Sequence, residues 1–138
     1  MLTSTLPRWL EDSTPRFVLD LAVHLVRLGW RVDVLAPGHR GARASETVEG
    51  VGIHRFTYAL PAGAQTLCYG GGIMPNIRAN PIKMALVPSF MGAALSASRR
   101  LAALLKPDII HSHWIVPMGL VGAAAVPRST PLVVTVHG

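Results

Sequence analysis

TPRFVLDLAVHLVRLGWRVDVLAPG, from Thr14 to Gly38, places a helix and a strand back to back. Thr14 reads as an N-cap with Pro15 at the first helical position, and Gly29 is a natural stop. Between them Phe17, Val18, Leu21, Leu25 and Leu28 recur at helical spacing, with Asp20, His24 and Arg27 mostly on the other side. Past Gly29 the period changes. Val32, Val34 and Ala36 occupy every second position of Arg31–Ala36, and Pro37-Gly38 closes the run as a strand.

The same alternation extends in both directions. Met1–Ser4 is a strand stub, and Gly38–Ser45 is a basic loop. Glu46–Val48 and Val51–Thr57 flank Glu49-Gly50, a β-turn or a short edge hairpin. Pro61–Asn80 is rich in Gly, Pro and Ala, contains Gly70-Gly71-Gly72, and reads as a long functional or mobile loop. Asn80-Pro81 opens a second helix that runs to about Lys106, with a kink expected at Pro88 and a stop at Pro107. Asp108–Ser112 follows as a strand, Pro117–Ala125 as a small-residue helix and Leu132–Val136 as a buried strand.

This order predicts an α/β fold: a Rossmann-like, doubly wound, mostly parallel sheet with helices on both faces and the first strand at its centre. Residues 1–138 form one unit without internal repeat or linker. The first strand is short for a central one and the chain stops where a loop should begin, so the unit reads as truncated at both ends.

With 138 residues, 50% hydrophobic and 14% charged, and a mean hydropathy of +0.39, the chain is neither disordered nor fibrous. A single cysteine, Cys68, excludes an intramolecular disulfide framework and a cysteine-rich zinc site, and fits a reducing cytosol. The most apolar windows, Met84–Ala97 and Trp114–Val126, fall short of the ~20 residues of a bilayer span, and no basic leader precedes a short apolar run. A cytoplasmic domain, soluble or at the inner face of the plasma membrane, is the expectation.

The net charge of +6 is localised. No Asp or Glu lies between Gly50 and Pro107, yet that span carries Arg55, Arg78, Lys83, Arg99, Arg100 and Lys106; the rest of the chain has seven basic and seven acidic residues. Mixed with Ile82, Met84, Leu86, Val87, Phe90 and Met91, this charge suits an anionic surface or a lipid phosphate, or else is solvated surface. Nucleic acid is not the expected partner: interleaved aromatics and known binding signatures are missing.

Three strand ends carry candidate chemistry. After the first strand, Ser13, Thr14 and Arg16 can meet a phosphate at a helix start, or form a capped loop with Arg16 paired to Glu11 or Asp12. Neither a G-x-G-x-x-G fingerprint nor a Walker lysine is present. His111-Ser112-His113-Trp114 ends a later strand. Without a third histidine or a carboxylate nearby in sequence a metal is not expected; the reading is that His111 packs beneath the following helix while His113 reaches the cleft to hydrogen-bond a hydroxyl-rich ligand. His137-Gly138 occupies the equivalent rim position after the last strand. Cys68 has no base beside it and reads as inert.

Taken together, T-S-T-L-P-R-W, the helix ending R-L-G-W-R-V-D-V-L-A-P, E-G-V-G-I-H-R-F, the Y-G-G-G-I loop, K-P-D-I-I-H-S-H-W and V-V-T-V-H-G resemble, in order over nearly the whole chain, the N-terminal domain of a family 4 glycosyltransferase of GT-B architecture. The resemblance implies a half-molecule that holds the acceptor, a second, donor-binding domain absent from these residues, and transfer from a nucleotide-sugar donor to a glycan or lipid-linked acceptor with retained configuration and no metal or other cofactor. It implies donor-phosphate contacts at Ser13, Thr14 and Arg16, although Pro15 offers no N–H where many members carry glycine. It places His113 near the transferred sugar and the acceptor hydroxyl, as the catalytic candidate, and His137 on the rim of the same cleft; His111, Trp114 and Gly138, at the same strand ends, are the further sugar or acceptor candidates, and Arg78 and Lys83 with the Met84–Met91 face are the expected membrane contact. By itself the chain is expected to be inactive. The alternatives are a non-catalytic truncated fragment or binding module, and a stand-alone nucleotide-binding Rossmann-like protein, against which the missing dinucleotide fingerprint counts.

Overall fold

The computed structural model describes residues 1–137. Helix α1 (Phe17–Arg27) leads into β1 (Asp33–Pro37), followed by the hairpin strands β2 (Ser45–Val48) and β3 (Val51–Phe56). Helix α2 (Ile73–Ala79) precedes the long α3 (Val87–Leu105), and β4 (Ile110–His113), α4 (Leu120–Ala125) and β5 (Leu132–Thr135) complete the chain.

β1 pairs parallel to β3, β2 pairs antiparallel to β3, and β4 pairs parallel to β5. The first residues of the chain join these two groups. Leu2 bridges in parallel to Leu35 of β1 on one side and Ser112 of β4 on the other. Leu2 N donates to His111 O at 2.8 Å, His113 N to Leu2 O at 2.9 Å, and Thr3 N to Leu35 O at 3.0 Å. The stub is therefore the centre of the sheet, as a doubly wound order requires.

Alternation along β1 loads both faces. Val34 and Ala36 join Leu6, Val18, Leu19, Ala22 and Ile53 under α1, while Leu35 joins Phe56, Tyr58, Phe90, Ala94 and Met118 under α3. At the end of α1, Gly29 adopts φ +91°, Gly29 N donates to Val26 O and Trp30 N to Leu25 O, a Schellman stop. Glu49 and Gly50 both have positive φ, the two-residue turn that matches strand twist, so the hairpin alternative holds. At Gly122, an added Cβ would lie 2.6 Å from Ser112 Oγ and 2.9 Å from Leu132 Cδ1, which is why α4 can press onto β4 and β5.

Four local expectations are corrected. α1 begins at Phe17, and Thr14 does not cap it; Arg16 stands at the N-cap position without a side-chain cap bond. The long glycine-rich loop contains α2, held by Asn76 Nδ2 donating to the carbonyls of Leu67 and Tyr69. Pro88 kinks nothing, because α3 starts beside it, after a 3₁₀ segment Pro81–Leu86 capped by the Asn80 side chain. β5 is only partly buried, with Val133 44% exposed, because it is an edge strand with β4 on one side.

Candidate functional site

The loop after the central stub is shaped by one ion pair. Arg8 Nη2 and Nε donate to the two carboxylate oxygens of Asp12 at 2.6 and 2.8 Å, and Arg8 N donates to Oδ2 at 2.7 Å. The same carboxylate accepts Thr14 N at 3.3 Å. The Asp12 side chain is only 1% exposed, and the Arg8 guanidinium holds its carboxyl well below the usual carboxylate range. Arg8 also lies over the rings of Trp9 and Tyr69, 4.4 and 4.9 Å from their centroids. Tyr69 is fixed in turn, its hydroxyl donating to Pro37 O at 2.9 Å and accepting from Arg55 Nη1 at 3.2 Å. Burial pushes its phenol up to about 12.

This loop forms one wall of a cavity of about 550 Å³ at the carboxyl edge of the sheet. Ser4, Thr5, Ser13 and Thr14 supply hydroxyls, and Phe17, Trp114 and Val116 face them. The opposite wall is Cys68 to Pro75, including the three glycines. Gly70, Gly71 and Gly72 have φ of +81°, +121° and +100°; around Gly70 and Gly72 there is open space, so it is the backbone conformation that calls for glycine. Burial pushes the Cys68 thiol up, which agrees with an inert cysteine.

Trp114 reaches this rim through strained backbone. Its φ is +67°, rare for a bulky side chain, and it is held by Trp114 N donating to Thr135 O and by Gly119 N donating to Trp114 O, both at 2.9 Å. Such conformations cost on the order of 1–3 kcal/mol and cluster at functional sites.

Behind the cavity lies a histidine pair. His113 is 1% exposed, and its Nδ1 lies 3.1 Å from His137 Nε2. Burial, and after it the charges of His111 and His137, push His113 down to about 4. Its Nε2 is buried without a partner among the described residues. Phe17 separates the pair from the cavity, its ring centred 4.8 Å from that of His137 and 5.8 Å from that of Trp114. His113 thus sits beneath the cleft surface and does not line it, contrary to the sequence expectation.

The remaining candidates divide. Ser13, Thr14 and Trp114 converge on the cavity. Arg16 turns away, donating from Nη2 to Glu49 Oε1 at 3.0 Å and from Nε to Asp20 Oδ1 at 3.3 Å, so its expected pairing with Glu11 or Asp12 is corrected and the Asp12 partner is Arg8. His111 lines a different groove, of about 340 Å³ at the amino edge, and bonds Thr135 Oγ1 at 2.7 Å instead of packing under a helix. Gly138 lies outside the described residues. Arg78 is exposed, whereas Lys83 Nζ donates to Thr66 O and Asn76 Oδ1. Beside them Met74, Ile82 and Met84 are 58, 81 and 60% exposed, but Phe90 is buried and Leu86, Val87 and Met91 pack on the core, so the apolar face is smaller than its sequence suggests. No helix among the described residues is long and apolar enough to cross a membrane, and no cluster of three metal-ligating side chains occurs among them.

Sequence reading missed Phe17, Arg8 and Tyr69. Phe17 fell on the apolar stripe of α1, and only its place one residue after the loop, 42% exposed, distinguishes it from core. No local pattern marks Arg8 or Tyr69.

Residues 14–138 match the model of a family described as Glycosyltransferase Family 4. Searches of curated proteins and of solved structures returned no match.

Proposed function

The chain belongs to glycosyltransferase family 4, and from that premise we propose that it is the acceptor-side half of a retaining enzyme that moves a sugar from a nucleotide-sugar donor to an acceptor. In this reading a donor-binding domain outside these 138 residues completes the cleft, and these residues alone turn nothing over. Transfer needs charge stabilisation around the departing diphosphate, and the donor half supplies most of it.

The observation that carries the reading is the cavity at the carboxyl edge, where a hydroxyl-bearing loop faces Phe17 and Trp114 with the His113–His137 pair directly behind. Ligands of open α/β sheets bind at this edge. The hydroxyls of Ser13 and Thr14 face the donor diphosphate; Arg16, committed to Glu49 and Asp20, contributes by holding the start of α1. His113, kept neutral by burial, and His137 offer ring nitrogens to sugar hydroxyls once the Phe17 ring turns aside, with His113 the catalytic candidate, and Trp114 offers its indole to the acceptor ring. Exposed Arg78 beside Met74, Ile82 and Met84, steadied by the anchored Lys83, provides peripheral contact with an anionic membrane at the cytoplasmic face.

Saturation-transfer NMR with simple glycosides tests the acceptor role: contacts that disappear in Trp114→Ala support it, and a chain that binds no sugar overturns it. Incubation with nucleotide sugars and acceptors is expected to give no turnover above blank.

A further inference from the structure

The walls of the cavity are uncharged. Among the described residues around it there is no Asp, Glu, Lys, Arg or His. Its two ionisable side chains, Cys68 and Tyr69, are buried and kept in their neutral forms. The two guanidiniums that meet Tyr69 are committed to other partners: Arg8 to both oxygens of Asp12, and Arg55 to Pro7 O at 2.6 Å with Glu46 Oε1 at 3.6 Å. The basic excess of the chain lies elsewhere: Arg78, Arg99 and Arg100 are exposed on other surfaces, with Arg99 Nη2 donating to Ala124 O.

The cavity is also two-sided. Ser4, Thr5, Ser13 and Thr14 belong to the first loop, while Phe17, Ile73, Met74 and Val116 give the lining its apolar part, with Met74 and Val116 58 and 68% exposed. Its volume lies within the range of small-molecule sites. An ionised acceptor group would lose water and gain no opposite charge from these walls, whereas an apolar group would exchange water for Ile73, Met74 and Val116; the donor diphosphate, in the reading above, meets its counter-charge in the donor half.

Resting on the acceptor reading above, we infer that the acceptor is an uncharged glycoside carrying an apolar aglycone, its sugar against the Ser4 and Thr5 hydroxyls and its aglycone along Ile73, Met74 and Val116. This reverses the preference for an anionic acceptor that the net charge suggests: long-range attraction raises encounter rates, but the local dielectric and the missing counter-charge select at the site.

Isothermal titration of the 138-residue chain with octyl glucoside below its micelle concentration, octyl glucuronide and glucose tests this, in a high-salt buffer that screens surface attraction. Octyl glucoside is expected to bind at least about tenfold more tightly than its carboxylate counterpart, since desolvating an unpaired charge is costly. It is expected to exceed glucose by a similar margin because of the apolar area buried. Met74→Asp and Val116→Asp, both at exposed positions that leave the core intact, are each expected to weaken octyl glucoside severalfold. Equal affinity for glucoside and glucuronide overturns the inference and leaves the acceptor reading standing; no binding of any of the three overturns both. Wild-type affinity for octyl glucoside in both aspartate variants, with folding verified by circular dichroism, places the ligand elsewhere and overturns the inference.

Discussion

His113 and His137 lie edge to edge with only 12° between their ring planes, and Nδ1 of the first lies 3.1 Å from Nε2 of the second. A nitrogen-to-nitrogen bond of this kind needs one donor and one acceptor, so the facing atoms share one proton and the hydrogen-bonding roles of the two rings are coupled. Two residues 24 apart in sequence, at the ends of β4 and β5, are thereby made into one unit.

Folding should become less favourable in mild acid because of this pair. His113 stays neutral down to about 4, while the same residue in the unfolded chain titrates near 6.5. Between those values the unfolded state binds a proton that the native state refuses, so stability falls as pH drops through the window, by roughly 3 kcal/mol at its full extent. Urea unfolding of wild type and His113→Gln between these pH values measures the effect; the difference between the two slopes isolates His113 from the other groups whose pKa is lowered by burial, His111 and the Met1 amine. Parallel slopes would contradict the assignment.

Removing Arg8 should cost more than an exposed ion pair. The Arg8→Ala variant leaves the Asp12 carboxylate, 1% exposed, with its main counter-charge gone, a loss of roughly 3–5 kcal/mol for buried pairs. Arg8→Ala/Asp12→Ala should recover part of that loss, because no stranded charge remains. Chemical denaturation of the three variants decides the matter, and a double variant no better than Arg8→Ala would count against it.

Gly122→Ala should lower stability by about 1–3 kcal/mol, since the new methyl overlaps Ser112 Oγ and Leu132 Cδ1 and must push α4 away from the sheet. A thermal melt checks this. Gly92→Ala is the internal control: nothing stands within 4 Å of a Cβ there, and alanine favours the helix, so its melt should be unchanged or raised.

Vesicle sedimentation should separate the two contributions at the α2 surface. Arg78→Glu is expected to reduce binding to anionic vesicles severalfold at low salt, at about 1 kcal/mol per basic residue near such a surface. Ile82→Ser with Met84→Ser, at positions 81 and 60% exposed, should weaken binding to neutral and anionic vesicles alike. Equal sedimentation of the wild-type chain with both vesicle types removes the electrostatic part of the proposal.

Where a signal is local, the sequence alone was enough. The period change at Gly29 separated α1 from β1, Glu49-Gly50 marked a turn that the structure makes a hairpin, and Asn80-Pro81 marked a capped start, although of a 3₁₀ segment and not of α3, because side-chain spacing, positive φ and proline geometry act over a few residues. From those pieces the doubly wound order followed, and the short stub fell at the sheet centre as expected. Only the tertiary structure decided the site. That Asp12 would take Arg8 instead of Arg16, that Arg16 would reach 33 residues ahead to Glu49, that His113 would be covered by Phe17 and that His111 would open onto the opposite edge depend on packing between elements distant in the chain. Periodicity states which face of an element is buried; it does not state what the other elements will place against that face.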